Sequence, residues 1–173
     1  MLTAKLKQIR LLLLDVDGVL TAGEIIYGDN GEQFKVFDVK DGLGIRLLKE
    51  ARIDVGVVTG RTGKALLHRC RNLGIDLIFE GIRNKAGVLP EIEQRTRVGV
   101  ESMAFIGDDL PDLSIMRRVG LAVAVADAHE AIRKTAHLTT LAPGGRGAVR
   151  EVCEAILKAQ GRWDELMGRL FNG

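Results

Sequence analysis

The chain has 173 residues, 46% of them apolar and 28% charged, the balance of one soluble globular domain with a proper core rather than a disordered segment. A formal net charge of +2 and an aromatic content of 4% argue against a nucleic-acid surface or a platform for stacked bases. No apolar run approaches the length needed to span a bilayer.

The chain begins MLTAKLKQIRLLLLDVDG, a basic start and a short apolar run with the outline of a signal peptide. The run stops at Leu14, too short for such a segment, and no small-residue cleavage site follows, so a cytoplasmic protein is expected. LLLL at 11–14 reads instead as a strand buried on both faces, ended by a glycine-containing loop. Residues 23–39, GEIIYGDNGEQFKVFDV, carry two short β-type runs around Asp29-Asn30-Gly31. Asn-Gly predicts a hairpin whose two turn positions both take positive φ. A hairpin this small cannot bury Ile25, Ile26, Tyr27, Phe34, Val36 and Phe37 alone, so they pack on the parent domain or on another subunit.

Leu43, Leu47 and Ala51 then fall at helical spacing and predict a helix with these three on its buried side. Apolar runs at 55–59, 77–79, 103–107 and 121–125 read as further strands. Between them lie a helix over 65–73 closed by Gly74, one capped by Asn84 and running to 95, and a short one over 113–119. A last helix over 147–160 lines up Val149, Val152, Cys153, Ile156 and Leu157. WDELMGRLF, from Trp163, makes an amphipathic tail within about 162–173. Strands alternating with amphipathic helices predict an α/β fold, a mainly parallel sheet covered on both faces, with residues 1–173 as a single domain. Cys70 and Cys153 show no metal or disulfide spacing and read as buried thiols; His68, His129 and His137 read as surface or helix-end residues.

Open α/β sheets bind ligands outside the carboxyl ends of their strands. Asp15 and Asp17 follow the first run and Thr59-Gly60-Arg61 the second. Glu80-Gly81 and then Lys85 follow the third, and Gly107-Asp108-Asp109 the fourth. Carboxylates gathered this closely repel one another, and a hard cation such as Mg²⁺ resolves the repulsion. Asp15 is then a candidate nucleophile toward phosphorus, forming an aspartyl-phosphate, and Asp17 a candidate general acid and base. Thr59, loop N–H groups such as that of Gly60, and Lys85 would hold the transferring oxygens. Phosphoryl transfer is the chemistry this set of residues fits best.

DVDGVLT at 15–21, TGR at 59–61, Lys85, and GDD at 107–109 with Asp112 resemble the four motifs of the haloacid dehalogenase (HAD) superfamily. YGDNGE at 27–32, DGLGIR at 41–46, GDDLPD at 107–112, VAVADA at 123–128, GGRGAVRE at 144–151 and AQG at 159–161 narrow the resemblance. They are similar to the 3-deoxy-D-manno-octulosonate 8-phosphate (KDO 8-phosphate) phosphatases, and the resemblance spans roughly residues 8–161. It implies a Rossmann-like three-layer sandwich, HAD-like and capless, with the hairpin at about 23–39 as a small insertion. It implies Mg²⁺ held by Asp15, the backbone carbonyl of Asp17, and Asp108. It also implies a homotetramer in which the hairpin of one subunit closes over its neighbour. The implied reaction releases inorganic phosphate from KDO 8-phosphate, a cytoplasmic step toward lipopolysaccharide. Arg61 would reach the carboxylate of the sugar acid or form a surface ion pair. Arg146, flanked by glycines, would reach an anion or serve as a plain loop residue. Asp109 and Asp112 would orient the metal shell or Lys85. Two departures from the family pattern stand out: Ala22 where Asp is frequent, which bears on substrate preference, and Thr59 where this branch often has Ser, which keeps the hydroxyl. The alternatives are a phosphatase of a nine-carbon, sialic-acid-type sugar phosphate, and a non-catalytic tetrameric relative, which would not need Asp15, Asp17, Thr59, Lys85 and Asp108 together.

Overall fold

The apolar runs do become strands. The computed structural model describes residues 2–172, the side chains of residues 32, 33 and 170–172 excepted, so the Phe171 side chain and Gly173 of the predicted tail lie outside the described residues. The strands are β1 (Leu11–Leu14), β2 (Ile26–Gly28), β3 (Gly31–Phe34), β4 (Asp54–Val58), β5 (Leu77–Phe79), β6 (Met103–Gly107), β7 (Leu121–Ala124) and β8 (Leu138–Thr139). The helices are α1 (Leu2–Gln8), α2 (Val39–Glu50), α3 (Lys64–Leu73), α4 (Leu89–Thr96), α5 (Leu113–Met116), α6 (Glu130–Thr135), α7 (Ala148–Ala159) and α8 (Trp163–Asn172). Sequence patterning did not anticipate α1, α6 or β8, each of which is short and weakly apolar.

Six strands form one parallel sheet in the order β5-β4-β1-β6-β7-β8. The four leucines of β1 alternate between the two faces and all are fully buried, so helices cover both sides of the sheet. Burial of a leucine side chain stabilises by about 1.5–3 kcal/mol, which makes this central strand a strong organiser of the core.

Three expectations need correction. Leu43 is 43% exposed, whereas Asp41, Gly42, Gly44, Ile45, Leu47 and Leu48 form the buried side of α2. The reason is that α2 packs on α7 as well as on the sheet. A Cβ at Gly44 would lie 3.1 Å from the Arg150 Cα, so close helix contact rather than hydrophobic spacing sets that face. Asp41 completes the contact by accepting the Arg150 N–H at 2.8 Å and the Gly147 N–H at 3.3 Å. It thereby caps α7 from another helix, because the N-cap residue Gly147 has no side chain of its own. Burial raises the pKa of the Asp41 carboxyl against the pull of these two bonds.

The second correction lies at Asn84, which occupies a helix start but makes no side-chain capping bond. The predicted helix divides there into a 3-10 turn at Lys85–Val88 followed by α4, with Pro90 unable to donate back along a continuous helix. The third is the hairpin turn. Gly28 pairs with Gly31, and of the turn residues only Gly31 takes positive φ, at 102°. Asp29 and Asn30 keep ordinary backbone angles, so the glycine closes the turn as a bulge-type position rather than as half of a doubly left-handed pair.

Candidate active site

The chain leaves β1 toward β4 and β5 on one side and reaches β6, β7 and β8 on the other, so β1 is the point where the winding reverses. A crevice opens at the carboxyl end of such a strand. Leu14 pairs with both Val57 and Ile106, so Asp15 emerges almost level with Thr59 and Asp108 on the two flanking strands. The Asp15 N–H donates to the Ile106 carbonyl at 3.1 Å, which fixes the height at which the loop departs. A cleft of about 570 Å³ lies there, lined by Asp15, Asp17, Thr59, Gly60, Arg61, Lys85 and Asp108 among others.

At its floor, oxygens of Asp15, Asp108 and Asp112 lie within 4.8 Å of one another. Lys85, 2% exposed, is the cation among them, with Nζ 2.8 Å from Asp15 Oδ2 and 2.5 Å from Asp112 Oδ1. Asp112 has its other oxygen occupied by the N–H groups of Asp108 at 3.0 Å and Asp109 at 3.4 Å. It therefore orients both the lysine and the loop that presents Asp108. Burial and then Asp112 push Asp15 up to about 6 despite Lys85. Burial, then Asp15 and the neighbouring acids, push Asp108 up to about 7. Burial pulls the Lys85 ammonium down, but Asp15 and Asp112 outweigh it and raise its pKa.

Glycines make the approach of these loops possible. Gly18 has φ +82°, and a Cβ there would lie 2.0 Å from Asp108 Oδ2. A Cβ at Gly144 would lie 1.7 Å from the Gly18 carbonyl oxygen, and the Gly145 N–H donates to the Val19 carbonyl at 2.8 Å. The loop bearing Gly144 and Gly145 thus braces the loop bearing Asp15 and Asp17 through backbone alone.

Thr59 is buried, and its Oγ accepts the Arg61 N–H at 3.4 Å. Arg61 lies with Nε 3.5 Å from Asp17 Oδ2 and donates to the Tyr27 hydroxyl at 3.1 Å. Lys35 donates to Asp17 Oδ1 at 2.5 Å. Arg146 stands apart from the others: it lines an adjoining hollow of about 390 Å³ with Thr21, Ala22, Glu24, Ile26 and Val36. Sequence reasoning missed Lys35, Tyr27 and Arg83, which reach or line the cleft from the hairpin and from the loop after β5. Tyr27 stands in the YGDNGE stretch, but no sequence pattern assigns it a role in the cleft, and Lys35 and Arg83 lie in no motif. The place of Tyr27 and Lys35 depends on how the hairpin folds back, and that of Arg83 on the course of the loop after β5. His129 caps α6 by accepting the Ala131 N–H at 3.1 Å, and His137 accepts the Ala122 N–H at 2.9 Å, both at element ends as expected. Cys70 and Cys153 are free and buried.

A profile of haloacid dehalogenase-like hydrolases matches residues 75–149. The chain is 47% identical, over 166 residues that cover 96% of it and 88% of the relative, to the 3-deoxy-D-manno-octulosonate 8-phosphate phosphatase of Escherichia coli K12. It superposes with a TM-score of 0.92 on the corresponding phosphatase of Yersinia pestis, at 46% identity and covering 94% of this chain and 88% of that one. The TM-score is 0.94, at 39% identity and 97% of each chain, for the phosphatase of Moraxella catarrhalis, solved with a magnesium ion, a phosphate ion and a KDO molecule.

Proposed function

This chain belongs to the KDO 8-phosphate phosphatases of the haloacid dehalogenase superfamily, and we propose that it hydrolyses KDO 8-phosphate to KDO and inorganic phosphate with Mg²⁺. The observation that carries the reading is the crowding of Asp15, Asp108 and Asp112 at the winding reversal, with Lys85 paired to Asp15 and Asp112. Hard oxygen ligands with raised pKa values are a donor set that Mg²⁺ fits. Both Asp112 oxygens are engaged, so Asp15, Asp108 and the backbone carbonyl of Asp17 would hold the ion. Bound there, it would offset the charge of the carboxylates and of the phosphoryl oxygens.

Asp15 is the nucleophile: its carboxylate oxygen forms a bond to phosphorus as the bond from phosphorus to the sugar oxygen breaks. Asp17 gives its proton to the departing alkoxide. Water then attacks the phosphorus of the aspartyl-phosphate, Asp17 takes the water's proton, and the bond to Asp15 breaks to release phosphate. Lys85 and Thr59 hold the phosphoryl oxygens, with the Gly60 N–H as a further donor. Arg61 faces the sugar acid from the cleft wall; Arg146, in its separate hollow, meets substrate only if a neighbour extends the cleft toward it.

The assembly is a homotetramer in which the hairpin, seated on its own cleft through Tyr27 and Lys35, also closes over a neighbour as an intersubunit lid on a single-domain catalytic unit. Ile26, Tyr27, Phe34 and Val36 on the hairpin are 44–72% exposed and continue onto exposed Val39 and Leu43, an apolar strip that a second copy would cover. The setting is the cytoplasm, in lipopolysaccharide precursor synthesis, and the substrate, charged at both its carboxylate and its phosphate, would stay in the compartment where it is made. The test is steady-state phosphate release from KDO 8-phosphate and from a nine-carbon sugar acid phosphate, with Mg²⁺ and with a chelator. Preference for KDO 8-phosphate with loss on chelation is expected. Preference for the nine-carbon ester overturns the substrate, and no release from either with Mg²⁺ overturns the enzyme.

A further inference from the structure

The side chain of Asp17 is held from the hairpin, and from both of its strands. Lys35, the residue directly after β3, brings its ammonium to 2.5 Å from Asp17 Oδ1, and its side chain is only 3% exposed. Tyr27, on β2, accepts from the Arg61 guanidinium, whose Nε lies 3.5 Å from Asp17 Oδ2. Lys35 thus hydrogen-bonds one carboxylate oxygen directly from the hairpin, while Arg61, itself tied to the hairpin through Tyr27, makes only a longer ion-pair contact with the other. The hairpin is itself anchored at its base. Arg69 lies 5.5 Å over the Phe37 ring and donates to the Asp38 carbonyl at 2.9 Å, and Gly42 leaves the space in which that guanidinium sits. Placing a long lysine stem out of water against one carboxylate oxygen costs side-chain entropy, and a charge-assisted bond of this length offsets it only in one geometry.

We infer that Lys35 is a positioning residue for proton transfer: it fixes the rotamer of Asp17, so the seating of the hairpin governs whether the leaving group receives its proton. The inference rests on the reading of Asp17 as general acid. It predicts a defect that depends on the leaving group. A sugar alkoxide departs poorly without a proton, whereas nitrophenolate departs unaided.

The experiment compares kcat/KM, which contains only the steps through departure of the alcohol, for KDO 8-phosphate and for p-nitrophenyl phosphate. Lys35→Met keeps the length of the stem and removes the donor. It should lower kcat/KM for the sugar ester by roughly 10²-fold, the scale of a misplaced catalytic group, with a much smaller loss on the aryl ester. Lys35→Arg, which restores a charged donor, should recover part of the sugar-ester rate. Should Lys35→Met not fold, Lys35→Leu removes the donor with a shorter apolar side chain and gives the same ratio. Equal losses on both esters overturn the inference. Asp17→Asn run in parallel separates the two claims: selective loss there with equal losses for Lys35→Met defeats only the role of Lys35. Equal losses for Asp17→Asn defeat the reading of Asp17 itself.

Discussion

Gly18→Ala probes the tightest point of the site. Gly18 takes φ +82°, where an L side chain costs roughly 1–2 kcal/mol in the backbone alone. The larger effect is steric. The new Cβ would lie 2.0 Å from Asp108 Oδ2 and 2.5 Å from its Cγ, so the carboxylate has to retreat by about 1 Å or more to reach an ordinary contact. That movement displaces Asp108 relative to Asp15 and Asp112, whose oxygens lie with its own within 4.8 Å of one another. Loss of a group that merely orients a metal ligand weakens metal affinity by about 10–100-fold, and displacing Asp108, a proposed ligand, should do at least as much. The assay is a Mg²⁺ titration of phosphate release, with thermal melting alongside. Gly161→Ala is the control, because φ is +69° there and a Cβ would meet nothing within 4 Å, so it carries the strain without the clash. Gly18→Ala should raise the Mg²⁺ needed for half-maximal rate, and Gly161→Ala should only lower the melting temperature. An unchanged Mg²⁺ requirement in Gly18→Ala would refute the claim that Gly18 makes room for a metal-holding Asp108.

The carboxyls of Asp15 and Asp108 titrate near 6 and 7 in the folded chain, above their ordinary value of 3.8, so the folded state holds their protons more tightly than the unfolded one. Metal-free protein should therefore lose stability as pH rises from about 4 through about 7, and Asp108→Asn should be the more stable form at pH 8 by ~1–2 kcal/mol, discounted for solvent near that residue. Melting curves in chelator at pH 5 and pH 8 check this, and equal pH dependence of the two proteins would count against it. Asp15→Asn preserves volume but not nucleophilicity, so turnover should vanish while the melting transition persists; normal turnover would mean another nucleophile. Asp17→Asn should slow release from the sugar ester by ~10²–10⁴-fold. Deleting residues 28–32 should reduce the oligomer seen by light scattering and weaken substrate selectivity more than aryl phosphate hydrolysis, and an unchanged oligomer with unchanged kinetics would refute the lid.

Order along the chain was enough to recover the parallel sheet and the edge where the acids gather. The reason is that a strand buried on both faces must be a continuous apolar run, and loops after parallel strands must share one edge. Asp15, Thr59, Lys85 and Asp108 were readable for that reason, each directly after such a run or at the helix start beyond it. What the tertiary structure decided is contact between segments far apart in sequence. The neighbours of β1, and hence the meeting of Asp15 with Thr59 and Asp108, follow from strand order, which no local pattern encodes. The same holds for Asp41 capping α7 across more than 100 residues and for Lys35 reaching Asp17 from the hairpin. Periodicity reports which side of an element is apolar, but a polar side chain finds its partner only when the backbone has been brought together, and that depends on the packing of the whole chain.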